Sequence, residues 1–338
     1  MSLPTGKCLI AVPTLNEAKH IAHLLEQLLV EAKAMDWPVV VIDGGSTDGT
    51  PAIVESFIAR GEPVQLAHNP KRIQSAAMNQ AVAQFGDGLD YVIRIDAHGE
   101  YPADYCRALV LEAQTIGADS VVVPMTTVGQ NTFQRAVATA QNSLVGTGGS
   151  AHRTGKGSAF VDHGHHALMS IPAYRAVGGY DETFRHNEDA ELDHRLRLAG
   201  YRIWLTDATE MTYYPRSTPS GLFKQYFGYG RGRARTVLKH RVFPRIRQML
   251  PLAILPAVVL AALSFVHWVA LIPLLAWCAL CLAMGFVATR KHFTEYGLPM
   301  SGAPLVGLAA MIMHLAWSSG FWLHLAQAAT SGFGAKRA

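Results

Sequence analysis

The stretch YVIRIDAH, at residues 91–98, contains a short apolar run that stops at an acidic residue. A run of this length predicts a buried strand over residues 91–95, with Asp96 at its carboxyl end. His98 follows two residues later, so its side chain can point the same way as that of Asp96. A carboxylate and an imidazole together can bind Mg²⁺ or Mn²⁺, and the nitrogen favours Mn²⁺. Taken alone, Asp-x-His also occurs in loops without a metal, and both interpretations stay open here.

Four further β-branched runs lie on either side of this strand in the chain. They predict strands over residues 9–12, 39–42, 64–67 and 120–123. Apolar residues recur at helical spacing between them, over residues 21–29, 51–60, 74–85 and 102–116. This alternation predicts an α/β fold with a mostly parallel sheet and helices on both faces. Ligands of such sheets bind at the carboxyl ends of the strands.

Two more motifs follow predicted strands directly. PTLNE (residues 13–17) follows the first strand, and DGGSTDG (residues 43–49) follows the second. In the second motif Asp43 offers a carboxylate acceptor beside a flexible turn, and a helix can begin at Thr50 and Pro51. Asp43 is therefore a candidate to bind a base or a ribose. The same letters also describe an ordinary turn with a helix N-cap, and the motif alone does not separate the two.

An acidic segment lies later in the chain. NEDAELD, at residues 187–193, has four acids among seven residues at a predicted helix start. Repulsion among them raises the pKa of at least one carboxyl unless cations intervene. A raised pKa suits a general base, but an exposed helix face has the same composition, so two interpretations remain.

A basic segment, GYGRGRAR at residues 228–235, alternates small residues with arginines. Backbone and guanidinium groups can both approach a diphosphate in such a segment. Lipid headgroups beside a membrane span would bind the same arginines. The two roles are compatible.

Five motifs in this order resemble those of the family 2 glycosyltransferases. They are PTLNE, Asp43 with its turn, Asp96, GGYDE at residues 178–182 and NED at residues 187–189. VDHGHH at residues 161–166, with the arginine-rich segment, extends the resemblance to the bacterial exopolysaccharide members of the family. The resemblance implies a GT-A fold, a UDP-sugar donor, a divalent metal ion and inversion at the anomeric carbon. It also implies an undecaprenyl-diphosphate-linked saccharide acceptor, with glucose as the expected sugar.

The resemblance also implies roles for particular residues. Those implied around the nucleotide and its diphosphate are Pro13, Thr14, Glu17, Asp43, Arg231 and Arg233. Among them, Asp43 would accept a hydrogen bond from the uracil. Asp96 would bind the metal ion, with His98 as a second ligand. Asp189 would be the general base for the acceptor hydroxyl, with Glu188 beside it orienting or adjusting it.

The sequence departs from the family pattern in two places. The family commonly has Asp-x-Asp where this chain has Asp96-Ala97-His98, which puts the preferred metal in doubt. The Gln-x-x-Arg-Trp signature of processive synthases is missing, and QYFGYGR at residues 225–231 stands in that region. We therefore expect addition of a single sugar rather than polymerisation.

The last quarter of the chain is almost free of charge. Residues 248–289 and residues 296–335 contain no Asp, Glu, Lys or Arg. A membrane span needs about 20 apolar residues, so the first stretch predicts two helices turning near His267 and Trp268, and the second predicts a third. The expected organisation is a catalytic domain over 1–215, a basic interfacial arm over 216–247 and a membrane region over 248–338.

Charge is distributed unevenly before these spans. Residues 211–247 carry nine Lys and Arg and no acid, whereas residues 1–210 carry 16 against 24 acids. Basic residues next to a span favour the cytoplasmic side and anionic lipid. The chain also starts without an apolar signal segment. We therefore expect a cytoplasmic catalytic domain at a bacterial inner membrane, with membrane lipid and no nucleic acid as partners.

Two further interpretations stay open. His152, His163, His165 and His166 could form a second metal site, although their Gly-rich stretch favours roles in the acceptor site or in loops. The chain could also be a catalytically weak regulator that binds nucleotide or glycan in a membrane export complex. The presence of Asp43, Asp96 and Asp189 together favours an enzyme, because a binding module has no use for a base.

Overall fold

A computed structural model describes residues 4–148, 157–243 and 246–335. The chain forms two compact units. The first unit comprises Met1–Thr126 and Gly155–Tyr213, and the second comprises Thr127–Thr154 and Tyr214–Ala338. The division into 1–215, 216–247 and 248–338 stays a prediction.

The first unit is built on an eight-stranded sheet with the order β3-β2-β1-β4-β8-β5-β9-β7, and β6 pairs with β10 separately. Among the described residues the strands are β1 (Cys8–Thr14), β2 (Val39–Asp43), β3 (Val64–His68), β4 (Tyr91–Arg94), β5 (Ser120–Val123), β6 (Met125–Thr127), β7 (Ala159–Val161), β8 (His165–Ser170), β9 (Ile203–Leu205) and β10 (Met211–Tyr213). The five predicted strands are β1 to β5. β1 pairs in parallel with β2 and β4, β2 with β3, and β5 with β9, whereas β8 is antiparallel to β4 and β5. The mostly parallel sheet is confirmed.

Alternate residues of the central strand pack into two separate cores. Ile10 and Val12 of β1 belong to one core, and Leu9 and Ala11 belong to the other. All four side chains are fully buried because both faces of the sheet are covered. The predicted helices on both faces are therefore confirmed. The helices of this unit are Ile21–Met35, Thr50–Ala59, Gln74–Phe85, Tyr105–Ile116, Ile171–Ala176 and Glu188–Leu198.

The second unit is helical and apolar. Its α-helices are Thr132–Gln141, Leu144–Thr147, Pro219–His240, Ile246–Leu252, Ile254–Ala261, Ile272–Lys291, Phe293–Tyr296 and Ala303–Ala335, with 3₁₀ turns at Ala262–Phe265, Trp268–Leu271 and Met300–Gly302. Three segments are long and apolar enough to cross a membrane: Gln248–Phe265, Trp268–Lys291 and Met300–Thr330. His267 has an extended backbone between the first two, at the predicted turn.

Two helices of this unit cross at glycines. A Cβ atom added at Gly230 would lie 2.0 Å from the carbonyl oxygen of Trp317, and one added at Gly320 would lie 2.1 Å from that of Phe227. No side chain fits at these distances, so glycine lets the helices Pro219–His240 and Ala303–Ala335 approach closely. The glycines of the basic segment thus include a helix-packing position.

Candidate active site

The loops that follow β1 and β2 are tied together by hydrogen bonds. The backbone nitrogen of Asn16 donates to Ser46 Oγ over 2.7 Å, and that of Thr47 donates to Asn16 Oδ1 over 2.9 Å. The backbone nitrogen of Glu17 donates to Thr50 Oγ1 over 2.9 Å. The two motifs predicted at neighbouring strand ends therefore form one structure at the carboxyl edge of the sheet.

Asp43 holds this structure from the end of β2, where it is 4% exposed. Its Oδ1 accepts from Thr14 Oγ1 at 3.2 Å and from Ser46 Oγ at 2.5 Å. Its Oδ2 accepts from the backbone nitrogens of Gly45 and Ser46, both at 2.8 Å. A carboxylate can accept about four hydrogen bonds, and Asp43 accepts four from these protein groups in this conformation.

A buried guanidinium lies at the centre of the site. Arg94 ends β4, and its side chain is only 2% exposed. Its Nη1 donates to Asp189 Oδ1 over 2.7 Å and to Tyr180 Oη over 3.1 Å. Its Nε lies 3.3 Å from Asp96 Oδ1, as an ion pair without the alignment of a hydrogen bond. Burial alone would lower the pKa of Arg94, but Asp189 and Asp96 raise it above its usual value.

Asp189, in the first turn of the helix Glu188–Leu198, is held firmly as an anion. Its Oδ1 also accepts from Tyr180 Oη over 2.8 Å, and its Oδ2 lies 3.4 Å from Arg94 Nη2. Burial would raise the pKa of Asp189, but Arg94, His166 and His165 outweigh it and hold the pKa well below its usual range.

The preceding residue has the opposite electrostatics. Burial and the charge of Asp189 raise the pKa of Glu188 to about 7. Its Oε2 atom is buried and has no hydrogen-bond partner among the described residues. Glu188 also lines a cavity of about 270 Å³ together with Arg72, Gln74 and Arg185. Glu188 is therefore protonated more readily than Asp189.

Asp96 follows β4 and remains partly accessible, with 19% of its side chain exposed. Its Oδ1 accepts from Gln74 Nε2 over 2.9 Å, and its Oδ2 lies 3.6 Å from His165 Nε2. Burial opposes ionisation of Asp96, but Arg94, His165 and His98 together lower its pKa. An ionised carboxylate with an accessible oxygen can accept a cation.

His98 lies on the same loop as Asp96, and half of its side chain is exposed. Its Nδ1 is 3.0 Å from Glu17 Oε1. Among the residues that the structure describes, no group of three or more His, Cys, Asp or Glu is placed to hold a metal ion. Mg²⁺ usually needs only one or two carboxylates when substrate phosphates and waters complete its shell. Asp96 can supply such a carboxylate, and binding of an ion by Asp96 and His98 stays a prediction.

The fold agrees with comparisons to known proteins. Residues 9–178 match the family model of Glycosyl transferase family 2. The chain belongs to this glycosyltransferase family. The glycosyltransferase is 55% identical to the succinoglycan biosynthesis protein ExoA of Rhizobium meliloti (strain 1021), over 323 residues and 96% of each chain. The resemblance to the exopolysaccharide members is thus confirmed.

Two more distant relatives bear on the fold. The glycosyltransferase is 23% identical, over 68% of its length and 74% of the relative's, to a protein of Methanococcus voltae. That relative is a dolichyl N-acetyl-alpha-D-glucosaminyl phosphate 3-beta-D-2,3-diacetamido-2,3-dideoxy-beta-D-glucuronosyltransferase. The mannosyltransferase PcManGT from Pyrobaculum calidifontis, solved with GDP-Man and Mn²⁺, superposes with a TM-score of 0.55 at 18% identity. That match covers 95% of this chain and 87% of PcManGT, and it confirms the GT-A fold.

The histidines of the glycosyltransferase separate into two environments. His163 Nδ1 and His166 Nε2 lie 2.7 Å and 2.6 Å from the two carboxylate oxygens of Asp193, in a buried network. His165 instead lies beside Asp96 and Asp189. His152 falls outside the described residues. His163 and His166 thus both contact the carboxylate of Asp193.

The remaining predicted residues lie apart in the chain. Pro13 and Thr14 end β1, directly before the loop that contains Glu17. Arg231 and Arg233 lie on the helix Pro219–His240, in the second unit. Their nucleotide and diphosphate contacts stay predictions.

Sequence reasoning missed Arg94, Gln74 and Tyr180. For Arg94 a signal existed, since YVIRID places a charged residue inside an otherwise buried strand. Such a residue must be paired, because an isolated buried charge is very costly. Tyr180 lies within the GGYDE motif but was given no role there, and Gln74 gave no signal; their partners lie nine and 22 residues away along the chain.

Proposed function

We propose that this glycosyltransferase transfers a sugar, expected to be glucose, from a UDP-sugar to a polyprenyl-diphosphate-linked saccharide in bacterial exopolysaccharide synthesis. The observation that carries the proposal is the joining of Asp96 and Asp189 by Arg94. Asp96 follows β4 at the same edge of the sheet as the predicted donor loops, and Asp189 lies in the first turn of the helix Glu188–Leu198. The 55% identity to a succinoglycan biosynthesis protein supports the biological setting.

In the proposed reaction the acceptor hydroxyl attacks the anomeric carbon, and the bond from that carbon to the diphosphate oxygen breaks. UDP leaves with the bonding electrons, and attack opposite to the leaving group inverts the configuration. Asp189 accepts the proton of the hydroxyl as the new bond forms. Glu188 lies next to Asp189 and would orient or adjust it.

Asp96 and His98 would hold a divalent ion, Mn²⁺ or Mg²⁺. When bound, the ion neutralises charge on the diphosphate. The solved complex of PcManGT with GDP-Man and Mn²⁺ supports a nucleotide sugar and a metal for this fold. Asp96 contributes a carboxylate that Arg94 and His165 keep ionised.

We propose that the donor nucleotide lies against Pro13, Thr14, Glu17 and Asp43, with Arg231 and Arg233 over the diphosphate. The loops after β1 and β2 support this, because their mutual hydrogen bonds create a rigid edge. Asp43 would shape that edge and contact the uracil after one of its present bonds is exchanged.

We propose further that the catalytic domain faces the cytoplasm at a bacterial inner membrane. Three segments are long and apolar enough to span, and residues 211–247 before them carry nine basic residues and no acid. Anionic lipid and the positive-inside bias both favour this orientation.

The proposed function is tested with the purified full chain in detergent or nanodiscs. UDP-, GDP- and TDP-sugars are first screened with Mn²⁺ by thermal shift, because a ligand of the folded state raises the melting temperature. The stabilising donor is then assayed for transfer to lipid-diphosphate saccharides. We expect UDP-sugars to stabilise and chelation to weaken their binding. Stabilisation without transfer to any such acceptor would favour the regulator, and preference for another nucleotide would contradict the donor assignment.

A further inference from the structure

We propose that Arg94 is a positioning residue that sets the orientation of Asp96 and Asp189 together, leaving the Oδ2 atom of each for the reaction. The inference rests on the proposed function, since it assigns these two acids to donor and acceptor. It adds a residue that contacts neither substrate and acts through both acids.

Burial of the Arg94 guanidinium is unfavourable in free energy by itself. Its side chain is 2% exposed at the end of a strand whose other residues are apolar or aromatic. Desolvating a guanidinium costs several kcal/mol unless charged partners surround it. A fold that needed only packing at this position would be served by an apolar residue of similar volume.

The two carboxylate oxygens of Asp189 differ in their hydrogen bonds. Oδ1 accepts two short hydrogen bonds, from Arg94 Nη1 at 2.7 Å and from Tyr180 Oη at 2.8 Å. Oδ2 has only long contacts, at 3.4 Å to Arg94 Nη2 and 4.0 Å to His165 Nδ1. Each carboxylate oxygen has about two acceptor positions, so Oδ1 is filled and Oδ2 can accept a proton.

The two carboxylate oxygens of Asp96 differ in the same way. Gln74 Nε2 donates to its Oδ1 over 2.9 Å, and Arg94 Nε lies 3.3 Å from that oxygen. The nearest group to its Oδ2 is His165 Nε2, at 3.6 Å. Both Oδ1 atoms therefore carry the shorter contacts, and both Oδ2 atoms lie within 4.0 Å of His165, with Asp189 Oδ2 nearer to Arg94 Nη2 at 3.4 Å.

These contacts make the two acids depend on each other. A shift of about 1 Å in a reacting group can cost a hundredfold in rate. Without Arg94, Asp189 would keep only the Tyr180 hydroxyl among its short contacts, and Asp96 would keep only Gln74. Turnover should then fall while donor binding persists.

The test compares Arg94→Met, Arg94→Lys and the matched control Tyr180→Phe in the full chain. Tyr180→Phe removes the other hydrogen bond to Asp189 Oδ1 and the acceptor of one Arg94 hydrogen bond, and it leaves the ion pairs of Arg94 with Asp96 and Asp189 in place. We expect Arg94→Met to lower kcat about 100-fold or more, with Mn²⁺-dependent UDP binding by calorimetry weakened much less than kcat. Arg94→Lys keeps the charge without the planar fork and should recover part of kcat. Tyr180→Phe should cost about tenfold or less.

A double variant separates positioning from a general structural role. If Arg94 acts through Asp189, then Arg94→Met should cost less in a chain that already carries Asp189→Asn than in the wild type, because only its effect through Asp96 remains. The inference is overturned if Arg94→Met keeps kcat within a few-fold of the wild type, if it weakens UDP binding as much as kcat, or if the two losses multiply. Inactivity of the wild type with every donor would instead contradict the proposed function.

Discussion

Arg94 Nη1 donates a hydrogen bond to Asp189 Oδ1 over 2.7 Å, although the two residues lie 95 positions apart in the chain. The bond joins the end of β4 to the first turn of the helix Glu188–Leu198. Because Arg94 also pairs with Asp96, a single side chain links the acid proposed for the metal to the acid proposed for the base.

Asp189→Asn should abolish most sugar transfer and leave donor binding nearly unchanged. The amide cannot take up the proton of the acceptor hydroxyl, so kcat should fall by about two to four decades. The matched variant Glu188→Gln makes the same carboxylate-to-amide change in the adjacent acid. Transfer rates and UDP titrations of both variants give the answer, and a Glu188→Gln loss that exceeds that of Asp189→Asn would move the base to Glu188.

Glu188 should make folding stability depend on pH. Its pKa rises from 4.5 to about 7 on folding, because of burial and the charge of Asp189. The folded protein therefore binds a proton that the unfolded chain has already released across this interval. The contribution to the free energy of unfolding is complete below the interval and is lost as the pH rises through it.

Urea unfolding at about pH 5 and about pH 8 measures this effect in the wild type and in Glu188→Gln. The wild type should lose more stability than the variant between the two values. Equal losses would show that Glu188 titrates normally in the folded protein.

Asp43 should contribute to stability as well as to donor binding. Asp43→Ala removes the acceptor of two backbone nitrogens and two hydroxyls in the loops after β1 and β2. Leaving buried donors unpaired should cost about 2 kcal/mol or more in the free energy of unfolding. Asp43→Asn retains one oxygen and should cost less. Thermal unfolding of both variants without nucleotide would refute the loop role if neither changed.

Gly230→Leu should disrupt the second unit, since even a Cβ atom there would lie 2.0 Å from the carbonyl oxygen of Trp317. Overpacking of this kind costs about 1–3 kcal/mol or more. Ser220→Ala, at an exposed position of the same helix, serves as the control. The melting temperature in detergent should fall for the first variant alone, and equal values would contradict the close helix crossing.

The fold was predictable where local pattern and burial coincide. β1, β2, β4 and β5 are runs between helices that the sheet largely buries, and the edge strand β3 is only partly buried, so periodicity and length identify them. Strands such as β7 and β9 have three residues each and gain their structure from neighbours that are distant in sequence. Residues 127–154 join the second unit for the same reason, because the chain alone does not reveal that association.

The site was predictable in its acids but not in their connection. Asp43, Asp96 and Asp189 stand at strand or helix ends, where motif order marks them. Arg94 precedes Ile95 inside the strand predicted over residues 91–95. Its contact with the helix Glu188–Leu198 forms only in the folded chain, where β4 meets that helix. The glycines at 228–232 were interpreted as a ligand-binding pattern, whereas Gly230 packs against a second helix.

A crystal structure of the full chain with UDP and Mn²⁺ would show whether Arg94 joins Asp96 and Asp189 when the donor nucleotide and the metal ion are bound. We expect the ion on Asp96 beside the diphosphate, with Arg94 still hydrogen-bonded to Asp189 Oδ1. Asp189 Oδ2 should be accessible from the side where the acceptor binds. UDP bound away from Asp96, or an Arg94 side chain turned away from Asp189 in that complex, would contradict this expectation.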